Sequence, residues 1–126
     1  MTIVAFAPAA VAEPGENAAA VFAKPVVLRG TLGDASIQMQ LRPKEEFEGG
    51  VEGQYFAFGQ SGHVLVAGEV DGDEVFMEES VNGRDVSGDW AGRFHDGVFS
   101  GEWQGMQGEV RPFRLEILRI NKEKQK

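Results

Sequence analysis

Glu79 stands out among the residues able to do chemistry. In "EVFMEES" (Glu74–Ser80) it follows Val75 and Met77 at alternate positions, so an extended strand turns all three side chains to one face. A carboxylate on an apolar face must be paired or have a raised pKa. Two readings are open. Glu79 is an acid at the mouth of a barrel that binds a cationic or hydroxylated ligand, or it pairs with Arg114 or Arg84 and secures a hairpin.

Other reactive types are spread thinly. "EVDGDE" (Glu69–Glu74) crowds four carboxylates around a turn, an arrangement calcium likes, but the EF-hand spacing is absent and a tight hairpin splays such side chains outward. His63 and His95 are the only imidazoles, each at or beside a turn signal, and neither belongs to an H-x-H or H-E-x-x-H pattern. They could share a metal only if the fold brought those turns to one end. Ser61 and His63 are too close in sequence for a hydrolase pair, and no G-x-S-x-G elbow exists. Asp89 and Glu102 could meet across a hairpin, but outward acids on a sheet usually form a solvated face, and a small barrel has little room for a glycosidase cleft. With no cysteine, thiol catalysis, disulfides and cysteine-ligated zinc are excluded.

These residues must be carried by strands. Apolar alternation recurs between Pro25 and Ile120, most clearly in "SIQMQL" (Ser36–Leu41) and "PFRLEI" (Pro112–Ile117). Turn signals fall at Gly33-Asp34, Pro43–Glu46, Gln60–Gly62, Asp71-Gly72, Asn82-Gly83, His95–Gly97 and Gly105–Gly108. Asp-Gly and Asn-Gly are the strongest, because a two-residue type I′ hairpin needs positive φ at both central positions. Seven turns imply eight strands, and short links make sequence neighbours spatial neighbours, hence a meander. A bulky-x-Gly-x-bulky pattern recurs at Leu28–Leu32, Val51–Tyr55, Val66–Val70, Val86–Trp90 and Phe99–Trp103. Inward glycines let strands bend and leave room for large side chains across the sheet, as a small closed barrel requires. The fold class is therefore all-β, an antiparallel meander of about eight strands forming a small barrel or strongly rolled sheet. "YFAF" (Tyr55–Phe58) places aromatics on both faces, so Phe56 and Phe58 form an outer apolar patch for a partner, unless the leader, the C-terminal segment or a second subunit covers it.

Charge is uneven along the chain. Between Glu45 and Glu102 fourteen acidic residues face two basic ones, while the first 44 residues carry +1 and the last 24 carry +3. Such a body repels phosphate backbones, which argues against nucleic acid. Ile3–Ala12 is apolar, too short to span a bilayer, and ends in "AVA" before Glu13-Pro14, as at a secretory cleavage site. A basic n-region is missing, as it would be if Met1 lay inside a longer leader. The other reading is an Ala-rich leader of a cytosolic protein. Residues 1–24 are expected to lie outside the fold, 25–120 to form the domain and 121–126 to be a frayed tail.

With those strands placed, "LRGTLGDASIQMQL", "VEGQYFAFG", "VFMEESVNGRDVSGDW" and "FSGEW…RPFRLEIL" resemble a family of bacterial secreted or lipid-anchored all-β proteins of uncharacterised function. That family shares G-x-Y-x-Y, N-G-x-V-x-G-x-F and F-S-G-x-W…P-F-x-L motifs, and the resemblance covers about Leu28 to Leu118. Ala57 interrupts the aromatic run, and the last hairpin lacks the usual Pro-Asp-Gly turn. "GRFHDGVFSGEW" is also similar to MORN repeats, but the repeat spacings of 23, 15, 20 and 13 are irregular. The resemblance implies an exported barrel-like domain and brings no chemistry. The expected function is a non-enzymatic binding or interaction module of the cell envelope, periplasmic or extracellular. Its partner would be a protein or a small amphiphilic ligand, with no cofactor, no metal and no transmembrane span. Alternatives are a small carboxylate-dependent hydrolase and a self-associating envelope component. Candidate binding residues are Glu79, Tyr55, Phe56, Phe58 and Arg114.

Overall fold

The structure, a computed structural model, describes residues 17–46 and 48–118. A short helix α1 (Ala18–Val21) precedes eight strands: β1 (Val26–Leu32), β2 (Ala35–Pro43), β3 (Gly50–Ala57), β4 (Val64–Asp71), β5 (Glu74–Ser80), β6 (Gly88–His95), β7 (Val98–Gly105) and β8 (Val110–Ile117). Each strand pairs antiparallel with the next, and β8 returns to β1, with Gly30 opposite Leu115. The barrel is closed, so no strand edge is left to template aggregation.

Alternation sets the two faces. Ile37, Met39 and Leu41 of β2 are buried, as are Val75, Met77 and Glu79 of β5 and Phe113 and Leu115 of β8. Each buried large apolar side chain contributes roughly 1.5–3 kcal/mol of transfer free energy, and these rows make a continuous core.

Glycines on the inner rows let the strands come close. A Cβ on Gly30, Gly53, Gly68 or Gly101 would run into a carbonyl oxygen of the adjacent strand (Arg114, Gln40, Phe76 and Ala91 respectively). At Gly88 the space is filled by the Trp103 indole, 2.6 Å from where a Cβ would sit, and a Cβ on Gly92 would meet both the Ser100 carbonyl oxygen of β7 and the Phe113 ring, the latter at 2.8 Å. The Val86–Trp90 copy of the pattern needs correction. Val86 lies in the loop before β6 and is exposed, and the inward row begins at Gly88 and continues through Trp90 and Gly92 to Phe94.

The connections fall at the seven expected places, with local differences. Asp96-Gly97 has positive φ at both residues (54° and 79°), as a type I′ hairpin demands. Asp71-Gly72 is shifted by one: Asp71 pairs with Glu74, leaving Gly72-Asp73 as the turn. Asn82-Gly83 is not a tight hairpin. It opens the 81–87 loop, where Asn82 Oδ1 accepts the backbone N–H groups of Arg84 (2.8 Å) and Asp85 (2.9 Å) and takes over the work of a turn.

The expected boundary at Pro25 also moves. Asn17 caps α1 by accepting the Ala20 N–H at 2.8 Å, and Ala18 and Phe22 are buried in the core. The segment closes the end of the barrel formed by the end of β6 and the start of β7, with Phe22 edge-on to Phe94 at 5.3 Å and to Phe99 at 6.4 Å. An Ala-rich sequence without a long helical period gave no hint of this, because the packing rests on one small residue and one aromatic, Ala18 and Phe22. The apolar stretch Ile3–Ala12 and the tail 121–126 lie outside the described residues. Among those described, no helix is long and apolar enough to cross a membrane.

Candidate functional site

The five candidate residues separate into two groups, one inside the barrel and one outside. Inside, Glu79 is buried, 4% exposed, next to the end of β5. Its Oε1 accepts from the Tyr55 hydroxyl at 2.6 Å and from the Nε1 of Trp90 and of Trp103, each at 3.0 Å. Its Oε2 accepts from Ser87 Oγ at 3.1 Å. The Ser87 backbone N–H donates to the Glu79 carbonyl at 2.7 Å, fastening the 81–87 loop over the same end. The chain holds one tyrosine and two tryptophans, and all three converge on this carboxylate.

Register explains the convergence. Glu79 stands opposite Gly88 on β6, Trp90 opposite Met77 and Trp103, and Trp103 reaches the carboxylate through the space Gly88 leaves. An indole N–H can only donate, so two of the three groups on Oε1 need a permanent acceptor there. Burial, followed by the hydrogen bond to Glu79 and its charge, raises the Tyr55 phenol far above its ordinary range, while the charge of Arg111 lowers it. The Arg111 guanidinium lies over the Trp103 ring, 5.3 Å from its centroid.

The expected partners of Glu79 are therefore corrected. Neither Arg114 nor Arg84 pairs with it; Arg114 is exposed and donates to Glu116 Oε2 at 2.6 Å on the outer wall. Neutral donors take the place of a cation. Reasoning from sequence treated the tryptophans as plugs alone and passed over Ser87 and Arg111. The available signal was the need of a buried indole for an acceptor, with one inward carboxylate in reach.

Outside, Phe56 and Phe58 pack edge-on at 5.2 Å, and Phe58 is 46% exposed. The Arg29 guanidinium lies 5.4 Å over the Phe58 ring. A groove of about 690 Å³ runs along the junction of β1 and β8, lined by Arg29, Thr31, Ser36, Phe58, Arg114 and Leu118 among others. Phe58 and Arg114 thus meet at one site, with Arg29 as a member that sequence reasoning missed. A second groove of about 380 Å³ lies over β3–β5 between Arg42 and Arg84.

The remaining candidates disperse. His63 lies in the connection before β4 and His95 at the end of β6, at opposite ends of the barrel. Among the described residues no three histidines, aspartates or glutamates are grouped to hold a metal ion. In "EVDGDE", Glu74 faces Arg93 at 3.3 Å, and Glu69, Asp71 and Asp73 are exposed. Asp89 stands opposite Gln104, and Glu102 opposite Ala91, both acids facing outward. A scan against protein-family models finds no match, and a comparison with curated proteins finds none either.

Proposed function

We propose that the protein is a non-enzymatic binding module of the bacterial cell envelope that engages its ligand on the outer wall of the barrel, not in its interior. One observation carries this reading: the acceptor sites of Glu79, the buried carboxylate, are occupied by the chain's own Tyr55, Trp90, Trp103 and Ser87. A general acid or base must come within hydrogen-bond reach of a reacting group, directly or through one water. Three of those four donors are aromatic side chains crowded on Oε1, and Ser87 of the 81–87 loop takes Oε2. The surface groove that unites Phe58 with Arg114 offers what the interior lacks, an open apolar face beside fixed cationic donors.

Placement in the envelope rests on the apolar stretch ending at Ala12 and on the resemblance of Leu28–Leu118 to secreted all-β proteins. Cleavage after Ala12 would leave α1 and Phe22 attached at the barrel end they close.

Glu79→Gln separates this reading from the carboxylate-dependent hydrolase. A binding module loses stability in this variant and keeps ligand affinity; a hydrolase stays folded and loses turnover. Native mass spectrometry of the whole chain, gently purified from the exporting cell, gives the second arm. A mass above that of the chain identifies a retained ligand, and loss of that added mass in Phe58→Ser places it outside. Loss only in interior variants would overturn the outer-wall reading.

A further inference from the structure

The arginines are not evenly placed around the barrel. The adjacent strands β8, β1 and β2 carry Arg29, Arg42, Arg111 and Arg114 against one glutamate, Glu116. Strands β3–β7 carry eight carboxylates against Arg93 alone. Closure between β1 and β8 explains this, because it brings the two less acidic ends of the sequence side by side. An otherwise acidic molecule therefore has one cationic flank, and the 690 Å³ groove lies on it. That volume falls within the range of small-molecule sites.

We propose that this groove binds a free single-chain anionic amphiphile, its head between Arg29 and Arg114 and its tail against Phe58 and the Ile117–Leu118 end. The floor is the β1 backbone at Gly30 and Thr31, walled by Ser36 and Phe58 on the β2 side and by Arg114 and Glu116 on the β8 side. Ser36 stands opposite Thr31, and Thr31 opposite Arg114, so two hydroxyls and a guanidinium form one outward row across three strands. A hydrogen bond from the Phe58 N–H to the Ser36 carbonyl, 2.9 Å, holds the ring beside that row.

Arg29 is the principal cation. Its Nε and Nη2 both donate to Gln38 Oε1, at 3.0 and 2.7 Å, and its face rests on Phe58. These neutral contacts fix the guanidinium without cancelling its charge, and among the described residues its Nη1 donates to nothing. Arg114 is paired with Glu116, which stands opposite Arg29, so the groove sets two guanidiniums against one carboxylate and keeps a net positive charge. A planar guanidinium fixed in advance gives directed hydrogen bonds to a carboxylate, sulfate or phosphate head at reduced ordering cost. The half-exposed ring and the exposed Leu118 supply the apolar contact that a free inorganic anion cannot use.

This inference rests on the outer-wall reading and is tested on the whole chain with decyl phosphate below its micellar concentration, by calorimetry. Saturable one-to-one binding is expected, with inorganic phosphate and uncharged decyl maltoside each weaker by about tenfold or more. Arg29→Gln and Phe58→Ala should each weaken decyl phosphate about tenfold and leave the unfolding midpoint unchanged. Added salt should weaken it further. Decyl phosphate binding no better than inorganic phosphate overturns the inference, as does binding unchanged in both variants. Binding to anionic vesicles without binding to the monomer also overturns it, since the occupant would then be a membrane surface. If affinity survives Arg29→Gln and falls in Phe22→Ala, the ligand enters the barrel, and the outer-wall reading fails as well. If decyl phosphate does not bind while a native mass increment is lost in Phe58→Ser, only the identity of the ligand is wrong.

Discussion

The two ends of the barrel are closed by opposite chemistries. At one end Phe22, delivered by a segment outside the sheet, packs edge-on against Phe94 and Phe99. At the other, residues of four different strands converge on the Glu79 carboxylate: Tyr55 of β3, Glu79 itself of β5, Trp90 of β6 and Trp103 of β7. Dispersion is non-directional, so an apolar stopper is graded: a smaller side chain loses contacts in proportion to what is removed. Hydrogen bonds in a dry interior are directional, and a donor left without its acceptor costs the full desolvation of that group. The barrel thus has one end that tolerates repacking and one that fixes its register.

Replacing the acceptor should produce the largest effect. Glu79→Leu leaves the Tyr55 hydroxyl and two indole N–H groups buried without partners, each costing about 1–3 kcal/mol. A loss of about 4 kcal/mol or more is expected in urea denaturation, a large share of the 5–15 kcal/mol typical of whole domains. Glu79→Gln keeps one carbonyl oxygen for those donors and should cost about 1–2 kcal/mol. Equal losses in the two variants would show that the negative charge, not the acceptor geometry, holds this end.

The apolar end should respond less. Phe22→Ala is expected to cost about 3 kcal/mol, the lower part of the range for Phe→Ala in cores, because a terminal segment can settle into part of the space. Removal of residues 1–24 provides the sharper comparison. If it costs no more than Phe22→Ala, the ring is the whole of the segment's contribution; a much larger loss would mean that α1 also stabilises the strands beneath it.

The contrast follows how legible each end was in the sequence. Strand period, turn residues and inward glycines are local signals, and they led to eight strands in meander order. The inward phase of Glu79 was equally local. Its partners were not, because they depend on register across four strands: Trp103 reaches Glu79 only because Gly88, not a larger residue, stands opposite it. A search among cations for the partner of a buried acid therefore pointed to Arg114 and Arg84, although neutral donors complete the site. Phe22 was hidden for a different reason. One ring at the C-cap of a four-residue helix has no period to detect. The groove fell between these cases. Phe58 and Arg114 were each marked by type, but only barrel closure brings β8 beside β1 and adds Arg29.

The smallest effect probes the polar end by proton linkage. Tyr55→Phe removes one hydrogen bond and should cost about 1 kcal/mol at neutral pH, since Glu79 keeps both indole donors. Its pH dependence carries more information. The Tyr55 phenol in the folded barrel sits far above the ordinary value of 10.0, pushed up first by burial and then by Glu79. The folded state therefore holds this proton more tightly than the unfolded chain does. The resulting stability is fully present below about pH 10 and is lost as pH rises above it, by about 1.4 kcal/mol per pH unit. The wild type should lose stability more steeply than Tyr55→Phe above that pH, and the difference between them isolates this one group from the lysines. Because Tyr55 is the only tyrosine, tyrosinate absorbance reports it without ambiguity. The absorbance should rise only together with the loss of β-sheet circular dichroism. Tyrosinate formed while the barrel remains folded would mean that water reaches the Glu79 cluster, and that the end held by hydrogen bonds is the one that opens.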